Sequence, residues 1–394
     1  MRNKTFKNLF LLLIISCVFA FAPEKKSEKK SEKKIAWAYI HLVCGHKWQE
    51  ASVFFQELAQ KEPPNNYAKA AEVLLRADST NFDYYDFYQQ FILPETSIFT
   101  ADFLEKKKFK AEEIELGKLL FYDPVLSANG KRTCASCHRA EKAFCDQRIT
   151  SKGVDFSVNL KKNSPTLLNV AYENAFFHEA NAKNISAVIE SVIKNPQEFN
   201  NDYGTILAKL NGSEAYKTLF FHAYKKRTWT KKLLNHSIEA FVNNLTSLES
   251  TFDQSIRDSK KQLPDNLKDG YNTFMGVGKC GTCHRPPTFG GSDNPFSTDY
   301  LTLDYEGKKL KVPALRHILQ SFPYMHDGRA PTLSDVYSDV YHASFVPKSI
   351  TKEQIAKINV FLTYICDNIT SDNQIPKQLP LLAHRPQRNI GGLY

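Results

Sequence analysis

The run Cys-X-X-Cys-His occurs twice, as "CASCH" at 134–138 and "CGTCH" at 280–284. Two thiols on one turn of chain, followed at once by an imidazole, make the attachment site of a c-type haem. The thiols reach the vinyl groups at the haem edge, and the histidine turns to the iron. Cys134, Cys137 and His138 are assigned to one haem, and Cys280, Cys283 and His284 to another. A shared zinc ion does not fit, because the pairs lie 146 residues apart, far beyond the spacing of a compact zinc module. A thioredoxin-like pair would need a βαβ pattern around it, and neither motif has one. Cys44, Cys145 and Cys366 show no paired spacing and read as buried thiols.

Each motif is followed by a related block, "SPTLLNVAYENAFFHEANAKNISAVIESV" and then "VPALRHILQSFPYMHDGRAPTLSDVYSDV". Pro165 to His178 is 13 residues, as is Pro313 to His326, and the apolar pairs Ile185/Leu333 and Val188/Val336 follow in register. The chain therefore reads as a duplicated haem unit. Helical periodicity marks 111–123, 230–252 and 351–369, the last with Ser349 or Thr351 as N-cap, and strand-like alternation is scarce. A further helical block fills 35–92, and its His41, His46 and Trp48 read as helical-hairpin core. The fold class is mainly α.

Net charge of +10 suggests a nucleic-acid binder, but residues 1–34 alone carry +6 and the remaining chain only +4. A nearly balanced body speaks against nucleic acid as a partner. The N-terminus is basic and then apolar for a stretch too short for an ordinary membrane span, which reads as an export signal. Two cleavage readings compete. "IISC" makes Cys17 a lipid-anchored first residue, and "AFA" at 20–22 makes an ordinary site followed by Pro23. Either places the protein in the periplasm or cell envelope. The charged run over 23–34 is expected to be a solvated linker.

"LGKLLFYDPVLSANGKRTCASCH", "NSPTLLNVAY", "NPQEF", "KCGTCHRPPTF", "KVPALRH" and "PYMHDGRAPTL", in this order, resemble the bacterial di-haem cytochrome c peroxidase family, which includes MauG. The resemblance covers about residues 112–370. It implies two tandem cytochrome c-like haem domains behind a short helical N-terminal region. The boundaries are then a signal at 1–22, a linker at 23–34, a helical region at 35–100, a peroxidatic domain at 101–260 and an electron-transfer domain at 261–394. It also implies a homodimer, and a calcium ion held by the Asn163 side chain and the carbonyls of Ser321 and Pro323.

Glu198 in "NPQEF" matches the family's distal glutamate, a base placed to move a proton between peroxide oxygens. The family's distal glutamine is replaced by Val188, and no histidine lies between His138 and His178 to close the first haem, as one does in many members. The second haem's distal methionine is replaced by Val340. Tyr341 and, behind it, His342 are the candidate ligands there, Tyr341 being placed ahead on its similarity to MauG. His178 takes the place of a tryptophan between the haems, either as an inter-haem residue of the catalytic site or as interface packing.

Three functions follow. One is a peroxidase reducing hydrogen peroxide with electrons from a small cytochrome c or cupredoxin. The second is a MauG-like oxidase of a protein or small molecule. The third is a di-haem electron carrier.

Overall fold

A computed structural model describes residues 27–61, 66–105, 107–305, 307–367, 375–382 and 387–393. The expected export signal with Cys17 lies outside the described residues. Thirteen α-helices are present among them. In chain order they are α1 (Ser27–Ala38), α2 (Trp48–Lys61), α3 (Tyr67–Leu75), α4 (Tyr84–Phe87), α5 (Ala111–Tyr122), α6 (Ile185–Lys194) and α7 (Tyr203–Asn211). There follow α8 (Glu214–Tyr224), α9 (Lys231–Asn244), α10 (Thr251–Ile256), α11 (Asp265–Met275), α12 (Leu333–Ser338) and α13 (Lys352–Tyr364). One antiparallel hairpin, β1 (Thr302–Tyr305) with β2 (Lys308–Lys311), interrupts the helices. No helix among the described residues is long and apolar enough to cross a membrane.

The helix before each Cys-X-X-Cys-His motif crosses the helix that closes its unit, and a glycine sits at each crossing. A Cβ on Gly117 of α5 would lie 1.8 Å from the Ser237 carbonyl oxygen of α9. A Cβ on Gly270 of α11 would lie 2.5 Å from the Lys357 carbonyl oxygen of α13. Only glycine permits backbones to approach so closely. The duplication extends to local backbone. Left-handed residues recur at Asn169 and His317, and at Phe177 and Met325, while isolated bridges recur at Phe176–Ala182 and Tyr324–Ala330.

Two large apolar cores result. The first joins α5 to α9 around Phe121, Phe144, Ile206, Phe220 and Phe241. The second gathers Phe252, Tyr271, Phe274, Phe289 and Phe361, and it also takes in Tyr39, Phe55, Tyr84 and Phe99 from the N-terminal block. That block is thus a cover on the second haem unit. The hydroxyls of Tyr39 and Tyr271 lie 2.7 Å apart, and His46 Nε2 lies 2.7 Å from the Met275 carbonyl oxygen.

Three sequence expectations shift in detail. The charged run expected as a linker is helical from Ser27, because Lys and Glu favour helix and the run leads into buried Ile35, Ala36 and Ala38. The long run from 230 ends at Asn244 and restarts at Ser250, whose hydroxyl accepts from the Asp253 amide and caps α10. Thr351, not Ser349, caps α13 by accepting from Gln354 N. The chain end returns to the first unit. Leu382 joins its core, and the Arg388 guanidinium donates to Asp123.

Candidate haem and peroxide site

Thr133 caps the turn that carries the first motif by accepting from the Ser136 amide. The turn folds back so that the amides of Cys137 and His138 both reach the Cys134 carbonyl, at 3.2 and 2.9 Å. His138 Nδ1 then lies 2.9 Å from the Phe144 carbonyl oxygen. The second turn repeats this, with His284 Nδ1 3.2 Å from the Phe289 carbonyl and 3.0 Å from that of Pro313. Metal-binding histidines are oriented in this way, with one ring nitrogen held by a carbonyl and the other left for the metal. Burial pushes the Cys134 and Cys280 thiols up to about 12, so neither of these two is the acidic thiol of a redox-exchange motif. The donor sets fit two covalently attached haems.

Glu198 lies on the turn after α6, held by its amide bond to the Asn195 carbonyl at 3.0 Å. Burial raises its carboxyl above the usual range, opposed by the Asn195 side chain and the charge of Arg132. The neighbouring Phe199 carbonyl accepts from the Ala128 amide at 2.9 Å, which ties the Glu198 turn to the segment that leads into the first motif. Val188 packs against the first core. Arg132 has no signal in the sequence beyond its place before the motif. It is 2% exposed, donates to Cys137 Sγ at 2.9 Å and to the Lys152 carbonyl at 2.8 Å, and stacks on Phe156.

At the second motif the two candidate ligands part company. Tyr341 is exposed, its ring 4.8 Å from that of Tyr305 with Arg329 over both. His342 is turned inward, with a buried Nδ1. Burial, and then the charge of His342, lower His284 to about 4. Val340 is 75% exposed.

His178 lies where the two units meet. Its Nε2 is 3.3 Å from the Asn163 carbonyl, its own carbonyl accepts from Lys311 N of β2, and its ring meets that of His326 edge-on at 6.2 Å. Burial lowers His178 to about 4, so the ring is neutral at pH 7. His326 continues to Tyr305, 5.8 Å between ring centroids, and the Tyr305 hydroxyl donates to Asp339. Asn163 Nδ2 donates to the carbonyls of Pro323 and Met325 at 2.9 and 2.7 Å, while the Ser321 hydroxyl and amide turn to Ile318. A calcium ion in this cleft would need the Asn163 amide turned over, with Oδ1 beside the Pro323 carbonyl. Among the described residues no three His, Cys, Asp or Glu side chains converge as a metal site.

Comparison with known proteins shows what the chain is similar to. The model of a family described as di-haem cytochrome c peroxidase matches residues 111–261. Cytochrome c551 peroxidase of Nitrosomonas europaea is 30% identical over 69% of this chain and 84% of its own length. Methylamine utilization protein MauG of Methylorubrum extorquens is 28% identical over 57% of this chain and 67% of its own. The crystal structure of a MauG-like protein associated with microbial copper homeostasis superposes with a TM-score of 0.57, covering 68% of this chain and 93% of that one at 22% identity. That last likeness speaks to the fold alone.

Proposed function

The chain belongs to the di-haem cytochrome c peroxidase and MauG family, and from that premise we propose that it reduces hydrogen peroxide to water outside the cytoplasm. One peroxide, two electrons and two protons give two waters. The electrons come from a small reduced cytochrome c or cupredoxin and enter at the second unit. The observation that carries this reading is Glu198, a half-buried carboxyl of raised pKa on a turn that Phe199 ties to Ala128, just ahead of the first Cys-X-X-Cys-His turn.

Cys134, Cys137 and His138 would hold the first haem, and Cys280, Cys283 and His284 the second. When bound, the first haem supplies the redox iron at which the oxygen–oxygen bond is cleaved. Glu198 takes a proton from one peroxide oxygen and delivers it to the departing one. Its raised pKa makes it hold the proton more readily than an ordinary carboxylate until it is returned. No histidine stands between His138 and His178 to close this side, which supports an open first site needing no reductive activation.

His342 closes the second site, in preference to Tyr341. Its imidazole is turned inward and acts on His284, whereas the Tyr341 ring is spent on Tyr305 and Arg329. Two imidazoles give a lower potential than a methionine would, which suits a site that passes electrons on to a stronger oxidant. His178, neutral and wedged against His326, packs the interface between the units.

Val188 in the distal position and Val340 in the ligand position favour a second reading, a MauG-like oxidase. Steady-state turnover decides between them. Peroxide-dependent oxidation of a reduced small cytochrome or cupredoxin, lost in Glu198→Gln, is expected. Turnover absent with every such donor would overturn the peroxidase in favour of the oxidase.

A further inference from the structure

The 24 residues from 215 to 238 hold six lysines and arginines and no aspartate or glutamate. Their charge of +6 exceeds the +4 carried by the whole chain beyond residue 34, so the basic excess of the folded body is gathered in one place. Lys225, Lys226, Arg227, Lys231 and Lys232 are all exposed. Lys217 pairs with Glu214, and Lys231 shares Glu190 with Lys194. Lys225, Lys226 and Lys232 form no ion pair among the described residues.

The segment is pinned at both ends. α8 closes at Lys225, whose left-handed backbone lets its amide donate to the Phe221 carbonyl at 2.8 Å. α9 opens at Thr230, whose side chain accepts from the Leu233 amide. Between them Trp229 is 2% exposed and stacked on Phe220 at 4.2 Å, and its amide donates to the Asn211 side chain at 2.9 Å. Phe221 is turned outward instead, 39% exposed, with the cations of Lys225 and Arg227 over its ring at 5.7 and 5.3 Å.

Like charges held together repel, and ordinary surfaces relieve this by interleaving carboxylates. A fixed cationic platform around an outward aromatic ring suits an anionic surface with an apolar layer just beneath it. We propose that this face of the first unit, Phe221 with Lys225, Lys226 and Arg227 around it, seats on a membrane rich in anionic phospholipid. The cations meet headgroup phosphates, and the ring enters the boundary between headgroups and acyl chains. An acidic donor protein fits less well, because the donor proposed above delivers its electrons to the second unit, whereas α8 and α9 build the first. A second copy of the chain on this face would set like charges against one another.

Flotation of the haem-loaded full chain with lipid vesicles provides the test. Vesicles of phosphatidylcholine alone are compared with vesicles that also contain phosphatidylglycerol. An acyl chain on Cys17 would bind both alike, so the ratio of the two affinities reads the patch. Each basic residue near an anionic surface strengthens binding by about fivefold. Combined Lys225→Gln, Lys226→Gln and Arg227→Gln should therefore reduce the preference for phosphatidylglycerol by about a hundredfold. Combined Lys225→Arg and Lys226→Arg should keep it, and Phe221→Ala should weaken it by about fivefold. In the parent the preference should vanish as salt rises from about 0.1 to about 1 M. Equal affinity of the parent for both vesicles would overturn the proposal. A preference kept in full by the triple glutamine variant would overturn it too, moving the attraction to the lysine-rich run at 25–34. Equal vesicle affinities, with KM for an acidic donor cytochrome raised in the triple variant, would give the patch to a protein partner instead.

Discussion

Replacing Arg388 with alanine should loosen the first haem unit although residue 388 lies far along the chain from it. The Arg388 side chain is 3% exposed and that of Asp123 0%. Nε donates to Oδ1 at 2.8 Å, and Nη2 to Oδ2 at 2.6 Å and to the Pro380 carbonyl at 2.6 Å. Without Arg388 the buried carboxylate keeps, among the described residues, only the Tyr216 hydroxyl and the Val125 amide. Removing one partner of a buried pair costs about 3–5 kcal/mol. At about 2–4 °C per kcal/mol for a unit of this size, the melting temperature should fall by about 6–20 °C. The consequence reaches the haem turn, because the same tail places the Gly391 carbonyl 2.6 Å from Thr133 Oγ1 and Leu393 N 2.9 Å from the Lys131 carbonyl. Thermal unfolding of the haem-loaded protein, with hydrogen exchange read at residues 131–138, provides the assay. Faster exchange at that turn should accompany the lower melting temperature. Arg388→Lys should fall between, since a point charge cannot reproduce the two-bond fork. A melting temperature within about 2 °C of the parent, with exchange unchanged, would refute the reasoning.

Four further outcomes are expected. Glu198→Gln should lower peroxide turnover by about 10²–10⁴-fold with both haems still attached. The parent should show an acid limb above the ordinary carboxylate range that the variant lacks. The sign follows from burial, which raises Glu198, so the active base form appears only as pH rises through that raised value and the uncharged form below it is the more stable. His342→Ala should convert the second haem to a high-spin spectrum while Tyr341→Phe leaves it unchanged, and the opposite pattern would reverse the assignment. Gly117→Ala should destabilise the first unit by about 1–3 kcal/mol or more in denaturant unfolding, because the Ser237 carbonyl must move. His178→Phe should leave haem loading intact, and inter-haem electron transfer unchanged in that variant would keep His178 as packing.

The two haem turns were legible because covalent attachment demands fixed residue types at fixed spacing. The duplication was legible for a related reason, since Pro165/His178 and Pro313/His326 hold a register that the backbone repeats at Phe177 and Met325. The helix over 111–123 was nearly bounded by sequence, ending at Tyr122 where Asp123 and Pro124 begin a new turn. Features that depend on distant packing were not legible. Residues 35–92 carry helical periodicity, but nothing local says that Tyr39 and Phe55 complete the second core. The return of 387–393 to the first unit rests on one arginine and a few backbone bonds, which leave no periodic trace. The hairpin at 302–311 is too short for its alternation to stand out. Which of Tyr341 and His342 turns inward was not legible either, because the Tyr341 ring is drawn out by Tyr305 and Arg329 from elsewhere in the chain.

Electron paramagnetic resonance of the fully oxidised protein tests the central claim most directly, namely that one haem is left open beside Glu198 and the other is closed by His342. The account requires one high-spin signal from the first haem and one low-spin signal with the wide spread of two imidazole ligands from the second. Low-spin signals from both haems, with no high-spin component, would contradict it.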